Sequence, residues 1–178
     1  MFNHHLDIMI RAAEVSREVH ARLVMLTHTS IISNGDQLAV SWPDWKPALG
    51  EFGLLFRVFG NEKNLELFAK SLKPLLDRSL IRTFPINEVP PSDEHAVFIR
   101  DRRFDKYGAS AFNRLKRRAA SRGEVFNPKP CGNFRIHSLK IQSSSTSQQF
   151  HLFVRRESSS KDRVGGKDYG LGFSLPVF

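Results

Sequence analysis

The sequence predicts an α+β protein in two parts. Three observations carry this. Residues 4–11, HHLDIMIR, alternate apolar and polar as a half-buried strand does. Residues 14–33 and 61–77 instead repeat their apolar residues at helical spacing. Pro90-Pro91 then separates these elements from a second half of different character, in which one basic helical stretch is followed by strand-like segments.

In the first strand Leu6, Ile8 and Ile10 point one way. The helix over 14–33 aligns Val15, Val19, Leu23, Leu26 and Ile31, and Asn34-Gly35-Asp36 stops it. Gln37–Trp42 reads as a strand ended by Pro43, and Phe52–Phe59 as another, turned by Gly60-Asn61. Residues 61–77 place Leu65, Phe68, Leu72 and Leu75 on one helical face, with Asn61 or Asn64 as cap. Leu80–Phe84 completes the order β-α-β-β-α-β, the ferredoxin-like arrangement. The expected division is a ferredoxin-like domain over 1–92 and a second domain over 93–178. The second domain opens with a strand, Ala96–Ile99, and continues with a helix over 108–122 that Gly123 stops. Antiparallel strands follow at Phe134–Ile141, Gln149–Arg156 and Tyr169–Phe178.

Charge is concentrated rather than spread. Arg100–Arg122 holds nine Lys or Arg and two Asp, which is +7 of the chain's +9. No acid lies between Lys106 and Glu124, whereas a merely solvated helix face mixes signs. At 100° per residue Arg114, Arg117 and Arg118 share a face with Arg122 one turn on, and Lys116 is a further cation of the same helix. Phe112, Leu115 and Ala119 share another face, which is expected to dock on the body. Arginine's planar fork grips phosphate with two hydrogen bonds, so a nucleic acid is the expected partner.

Composition excludes other classes. With 40% hydrophobic and 25% charged residues the chain is globular rather than disordered. Cys131 stands alone, so neither an internal disulfide nor a Cys-based zinc cluster is possible. No stretch approaches the length of a membrane span, and His4, His5, Asp7, Arg11 and Glu14 interrupt any apolar leader, so a cytoplasmic protein away from membranes is expected.

Several segments resemble one family in order and nearly end to end: HHLDI (4–8), VSWPDW (40–45), SSSTSQQFHLFVR (143–155) and YGL with LPVF (169–178). They are similar to the type I-F CRISPR repeat-processing endoribonuclease (Csy-type), which cuts precursor RNA at the base of each repeat hairpin. The resemblance implies a ferredoxin-like N-terminal domain, a C-terminal domain with an arginine-rich helix, and a stem-loop RNA retained as crRNA within the type I-F surveillance complex. It also implies metal-independent cleavage without a cofactor. The RNA's own 2′-OH would attack, leaving a 2′,3′-cyclic phosphate and a 5′-OH.

Such cleavage needs a base near neutral pKa, which suits histidine. The chain has seven: His4, His5, His20, His28, His95, His137 and His151. Composition does not choose among them. The resemblance chooses His28, with His20 as runner-up. It further implies that Ser143 and Ser145 hold the 2′-OH, that Tyr169 orients His28, and that Phe150 packs on a base. Arg100 and Arg102 match the positions that read base edges, and Arg103 beside them is a further RNA contact. The family has Gln at the position of Arg102. Arg suits guanine and Gln suits adenine, so Arg102 is expected either to meet a guanine or to touch phosphate alone. The alternative is a non-catalytic hairpin-binding subunit. The presence of His28, Ser143 and Tyr169 together favours the enzyme. A DNA-binding regulator is disfavoured because no helix-turn-helix pair precedes the basic helix, and a serine-hydrolase site because no Gly-x-Ser-x-Gly elbow is present.

Overall fold

A computed structural model describes residues 2–35, 37–102, 109–126, 137–142, 148–160 and 169–178, with the backbone alone for 109–111. Helices and two antiparallel sheets make it α+β. β1 (His4–Ile10) leads through a 3₁₀ turn (Ala13–Val15) into α1 (Ser16–Asn34). β2 (Ala39–Ser41), β3 (Leu55–Gly60), α2 (Glu62–Ser71), α3 (Lys73–Asp77), β4 (Ile81–Thr83) and β5 (Asn87–Glu88) follow. The second half holds β6 (His95–Arg100), α4 (Ala109–Ser121), β7 (His137–Gln142), β8 (Gln149–Ser158) and β9 (Ser174–Pro176).

The first sheet runs β2-β3-β1-β4, with β5 also on β1, and the second runs β7-β8-β6-β9. Register in the first sheet sets Ile8 opposite Phe56 and Asp7 opposite Arg57. Alternation then sends Leu6, Ile8 and Ile10 into the core, where each is at most 2% exposed. The same buried cluster takes Phe98, Leu139, Ile141, Leu152 and Val154 from the second sheet, so one core is shared by both halves. Trp42 is fully buried at its centre, with ring centroids 5.1 Å from Phe52, 5.6 Å from Phe56 and 5.2 Å from Phe98.

Several elements depart from the sequence expectation for identifiable reasons. The helix expected over 61–77 breaks at Leu72 into α2 and α3, because Pro74 lacks an N–H and is tolerated only in a first helical turn. Asn61 is the cap: its side chain accepts from the Asn64 N–H at 2.8 Å. The strand expected from Phe52 begins at Leu55, since Gly53 adopts φ +79 and a Cβ there would run into Asp44. The segment 86–94, which holds the expected boundary at Pro90-Pro91, includes β5 paired with His4 and His5. Of the strand expected over Tyr169–Phe178 only Ser174–Pro176 is regular, and of that over Phe134–Ile141 residues 134–136 lie outside the described residues.

The largest correction concerns α4. Its expected docking by an apolar face is only partial among the described residues, where Phe112 and Leu115 are each 40% exposed. Phe112 instead meets Phe126 edge-on at 4.9 Å, just past the turn at Gly123 (φ +69).

The buried histidines are structural. His20, the runner-up base, is 1% exposed. Its Nδ1 accepts from the Trp42 indole at 3.2 Å and its Nε2 lies 3.0 Å from the Gly53 carbonyl, which requires the neutral Nε2–H tautomer. Burial pushes its pKa down to about 4. Burial also lowers His5 and His137, the latter stacked on Trp45 at 3.5 Å. Each binds its proton more weakly folded than unfolded. Stability is therefore full above pH 6.5, the unfolded value, and falls as pH drops towards the folded values. His20 alone is expected to remove roughly 3 kcal/mol of stability between these limits. In urea titrations across this range, His20→Leu should start less stable at pH 7, because it strands the Trp42 and Gly53 groups, yet lose less on acidification. An unchanged pH slope in His20→Leu would contradict this assignment.

Candidate active site

α1 positions the site through its buried side. Val19, His20, Leu23, Val24 and Thr27 fix the rotation of the helix, and the Thr27 hydroxyl donates to the Leu23 carbonyl at 3.0 Å. His28 is the next residue, about 100° round from Thr27, and is half-buried at the edge of that packed face. It is not sequestered as His20 is.

Tyr169 comes to it from the far end of the chain. The two rings stack with centroids 4.2 Å apart and planes 27° apart. Tyr169 has φ +60 and Gly170 has φ +71, so two successive left-handed residues turn the chain at this point. A non-glycine residue there carries about 1–2 kcal/mol of strain, which the surrounding contacts must offset. They do so on β2, where the Val40 N–H donates to the Gly170 carbonyl at 3.0 Å. A Cβ on Gly170 would meet the Leu38 carbonyl and Val40 Cγ1 at 3.2 Å. Only glycine lets the turn lie this close to β2, and that closeness aims Tyr169 at His28.

The constellation continues into the second sheet. Phe150, on β8, has its ring centroid 6.5 Å from that of Tyr169. The Arg100 guanidinium, at the end of β6, lies 5.7 Å from the Phe150 ring centre. Four residues that the sequence singled out thus form one run: Arg100, Phe150, Tyr169 and His28. Arg102 is exposed just beyond β6, and Arg114, Lys116, Arg117, Arg118 and Arg122 are exposed on or beside α4. None of these six is ion-paired among the described residues. Ser143, Ser145 and Arg103 lie outside the described residues. Among the described residues no three of His, Cys, Asp and Glu converge as a metal site. The contact of Arg100 with Phe150 had no signal in the sequence, because register between β6 and β8 is a tertiary outcome.

A half-buried imidazole with its ring plane fixed by stacking is suited to moving a proton, and the exposed cations of α4 to holding a polyanion. The family model described as CRISPR-associated protein (Cas_Csy4) matches residues 6–178. The chain belongs to the Csy4 family. This is the type I-F CRISPR repeat-processing endoribonuclease family, so the chain's class is CRISPR-associated RNA processing. The match spans both sheets and includes His28, Phe150 and Tyr169. No curated protein matches the chain. Among solved structures, one assigned as a glycine cleavage system transcriptional repressor aligns over 88% of this chain and 80% of its own, at 19% identity. Its TM-score of 0.28 is too low to bear on the fold. No helix among the described residues is long and apolar enough to cross a membrane.

The dependence of the candidate site on Gly170 is testable against Gly35, which also has a positive φ but nothing within 4 Å of an added Cβ. Gly35→Ala should cost about 1 kcal/mol from conformation alone. Gly170→Ala should cost about 1–2 kcal/mol more on denaturant unfolding, because it also forces the turn off β2. Equal costs would mean that the turn does not rest on that contact.

Proposed function

We propose that the chain is a metal-independent endoribonuclease that binds and cleaves CRISPR repeat hairpin RNA. The single observation carrying this is the stack of Tyr169 on His28 at 4.2 Å, which joins two chain-distant residues at the end of a run of RNA-compatible groups. His28 acts as general base and takes the proton of the 2′-OH. The 2′-oxygen attacks the adjacent phosphorus, the bond to the 5′-oxygen breaks, and that oxygen leaves and is protonated. The products are a 2′,3′-cyclic phosphate and a 5′-OH. Tyr169 holds the imidazole plane, Ser143 and Ser145 position the 2′-OH, and Phe150 packs on a base. No cofactor is used.

In this reading Arg114, Lys116, Arg117, Arg118 and Arg122 grip stem phosphates, Arg103 adds a contact, and Arg100 and Arg102 address base edges near the bottom of the stem. The exposure of α4 supports it, because a helix that is to lie against RNA must keep its cations clear of the body. We read residues 1–92 as a ferredoxin-like domain carrying His28, a reading that the strand order β2-β3-β1-β4 supports. Residues 93–178 are then the RNA-binding domain. After cleavage the protein stays on its hairpin in the cytoplasm as a subunit of the type I-F surveillance complex.

Cleavage of repeat RNA is expected to persist in excess EDTA. His28→Ala should bind the hairpin normally while cleaving at least about 100-fold more slowly, and a 2′-deoxy substitution at the cut should stop the reaction. Cleavage by His28→Ala at the wild-type rate would exclude His28 as the base.

Arg102 has a separate test. Replacing its guanine by adenine in the repeat should weaken binding by roughly 1–3 kcal/mol if the side chain reads that base. Unchanged affinity in a filter-binding titration would restrict Arg102 to phosphate.

A further inference from the structure

One buried acid lies inside the cationic stretch. Asp101 and Asp105 are the two acids among residues 100–122, against nine Lys or Arg. Asp101 is 3% exposed and follows the end of β6, between Arg100 and Arg102. A carboxylate there repels the phosphates that its neighbours attract, so its charge works against RNA affinity. Burial adds a second cost, because a shielded carboxylate must be held by hydrogen bonds or cations. What the carboxylate can contribute to RNA binding is geometry.

Strand alternation fixes which way it faces. Arg100 stands opposite Val154, a core residue, and its guanidinium lies 5.7 Å from the Phe150 ring centre. Asp101 takes the other face of the strand, with Val97 and Ile99. Across from Ile99 on that face is Arg155, which is paired with Glu157 at 2.6 Å. The Asp101 N–H donates to the Phe153 carbonyl at 2.8 Å, one residue beyond the paired register of β6 and β8. The chain then leaves the sheet in a turn at Arg102, which is exposed. An aspartate that opens a turn accepts, through its side chain, from a backbone N–H about two residues on. Such a bond fixes the peptide that carries the next residue, here Arg102.

We infer that Asp101 is a positioning residue for base readout: its backbone closes the strand end that presents Arg100, and its carboxylate anchors the turn that presents Arg102. This rests on the proposed addressing of base edges by Arg100 and Arg102. The carboxylate lowers affinity for any polyanion and raises discrimination among hairpins. Phosphate grip and base choice are thereby separable within one stretch of chain.

The test uses the full chain and hairpins carrying a 2′-deoxy block at the cut. These are the repeat hairpin, versions with each of its lowest stem pairs inverted in turn, and an unrelated hairpin of equal length. By fluorescence anisotropy the wild-type protein should prefer the repeat over at least one inverted hairpin by about tenfold, as one base contact implies. Asp101→Ala should cut that preference to about threefold or less. It should bind the unrelated hairpin as tightly as the wild type or more tightly, since a repelling charge is gone. Asp101→Asn keeps an accepting oxygen and drops the charge, so it should retain the preference. If Asp101→Ala does not fold, Asp101→Ser takes its place with an intermediate loss, because its hydroxyl accepts more weakly. The inference is overturned if the alanine or serine variant keeps the full preference, or if it weakens every hairpin equally, as a merely structural loss would. It is also overturned if Asp101→Asn loses as much as Asp101→Ala, which would assign the role to charge pairing. A wild-type protein without preference would remove the base readout by Arg100 and Arg102, and this inference with it.

Discussion

The ten residues from Tyr169 to Phe178 hold the two sheets together, and the rest of the structure depends on that seam. The Val40 N–H donates to Gly170, the Gly172 N–H donates to Phe98 at 2.7 Å, and β9 pairs with β6. One short segment therefore bonds to the edge strand of the first sheet and to a strand of the second. Its end is clamped as well. Arg57 forms a two-pronged pair with Asp7 at 2.6 and 2.8 Å, donates to the Phe178 carbonyl at 2.9 Å, and lies 3.9 Å over the Phe178 ring. The pair is largely shielded from water, so losing either partner would strand a charge at a cost of about 3–5 kcal/mol. Asp7 and Arg57 face each other only because β1 and β3 pair in this register.

The same seam makes the candidate site. Without the turn at Tyr169–Gly170 pinned on β2, α1 would present His28 without the Tyr169 ring across it. The second sheet would present Phe150 and Arg100 with nothing to join. Histidine roles divide by environment. Indole, carbonyl and apolar neighbours hold His20 neutral and fixed. His28, two turns on, keeps one side in the packed helix face and the other against a phenol ring. A difference of rotation about one helix axis separates a core residue from a candidate base.

Charge is arranged by a different rule. The arginines of α4 gain most from an anion they can reach from the protein surface, and they are accordingly exposed. Exposed cations repel one another weakly in water but sum to a field that draws a polyanion in.

By itself the sequence determined the α+β class, the alternation of β1, the span of α1, the stop at Gly123 and the basic run. Each follows from local chemistry: apolar period, capping residues, glycine and proline. The resemblance to the repeat-processing family was likewise legible in short segments such as SSSTSQQFHLFVR and YGL. The break at Pro74 is also written locally, beneath a strong helical period. Other features were decided only by tertiary structure: His20 belongs to the core, Tyr169 stacks on His28, Arg100 reaches Phe150, and the apolar face of α4 is only partly covered. Those outcomes depend on which surfaces meet. Strand register, the positive φ at Tyr169 and the close approach of Gly170 to β2 set which surfaces meet, and none of the three leaves a periodic trace in the chain.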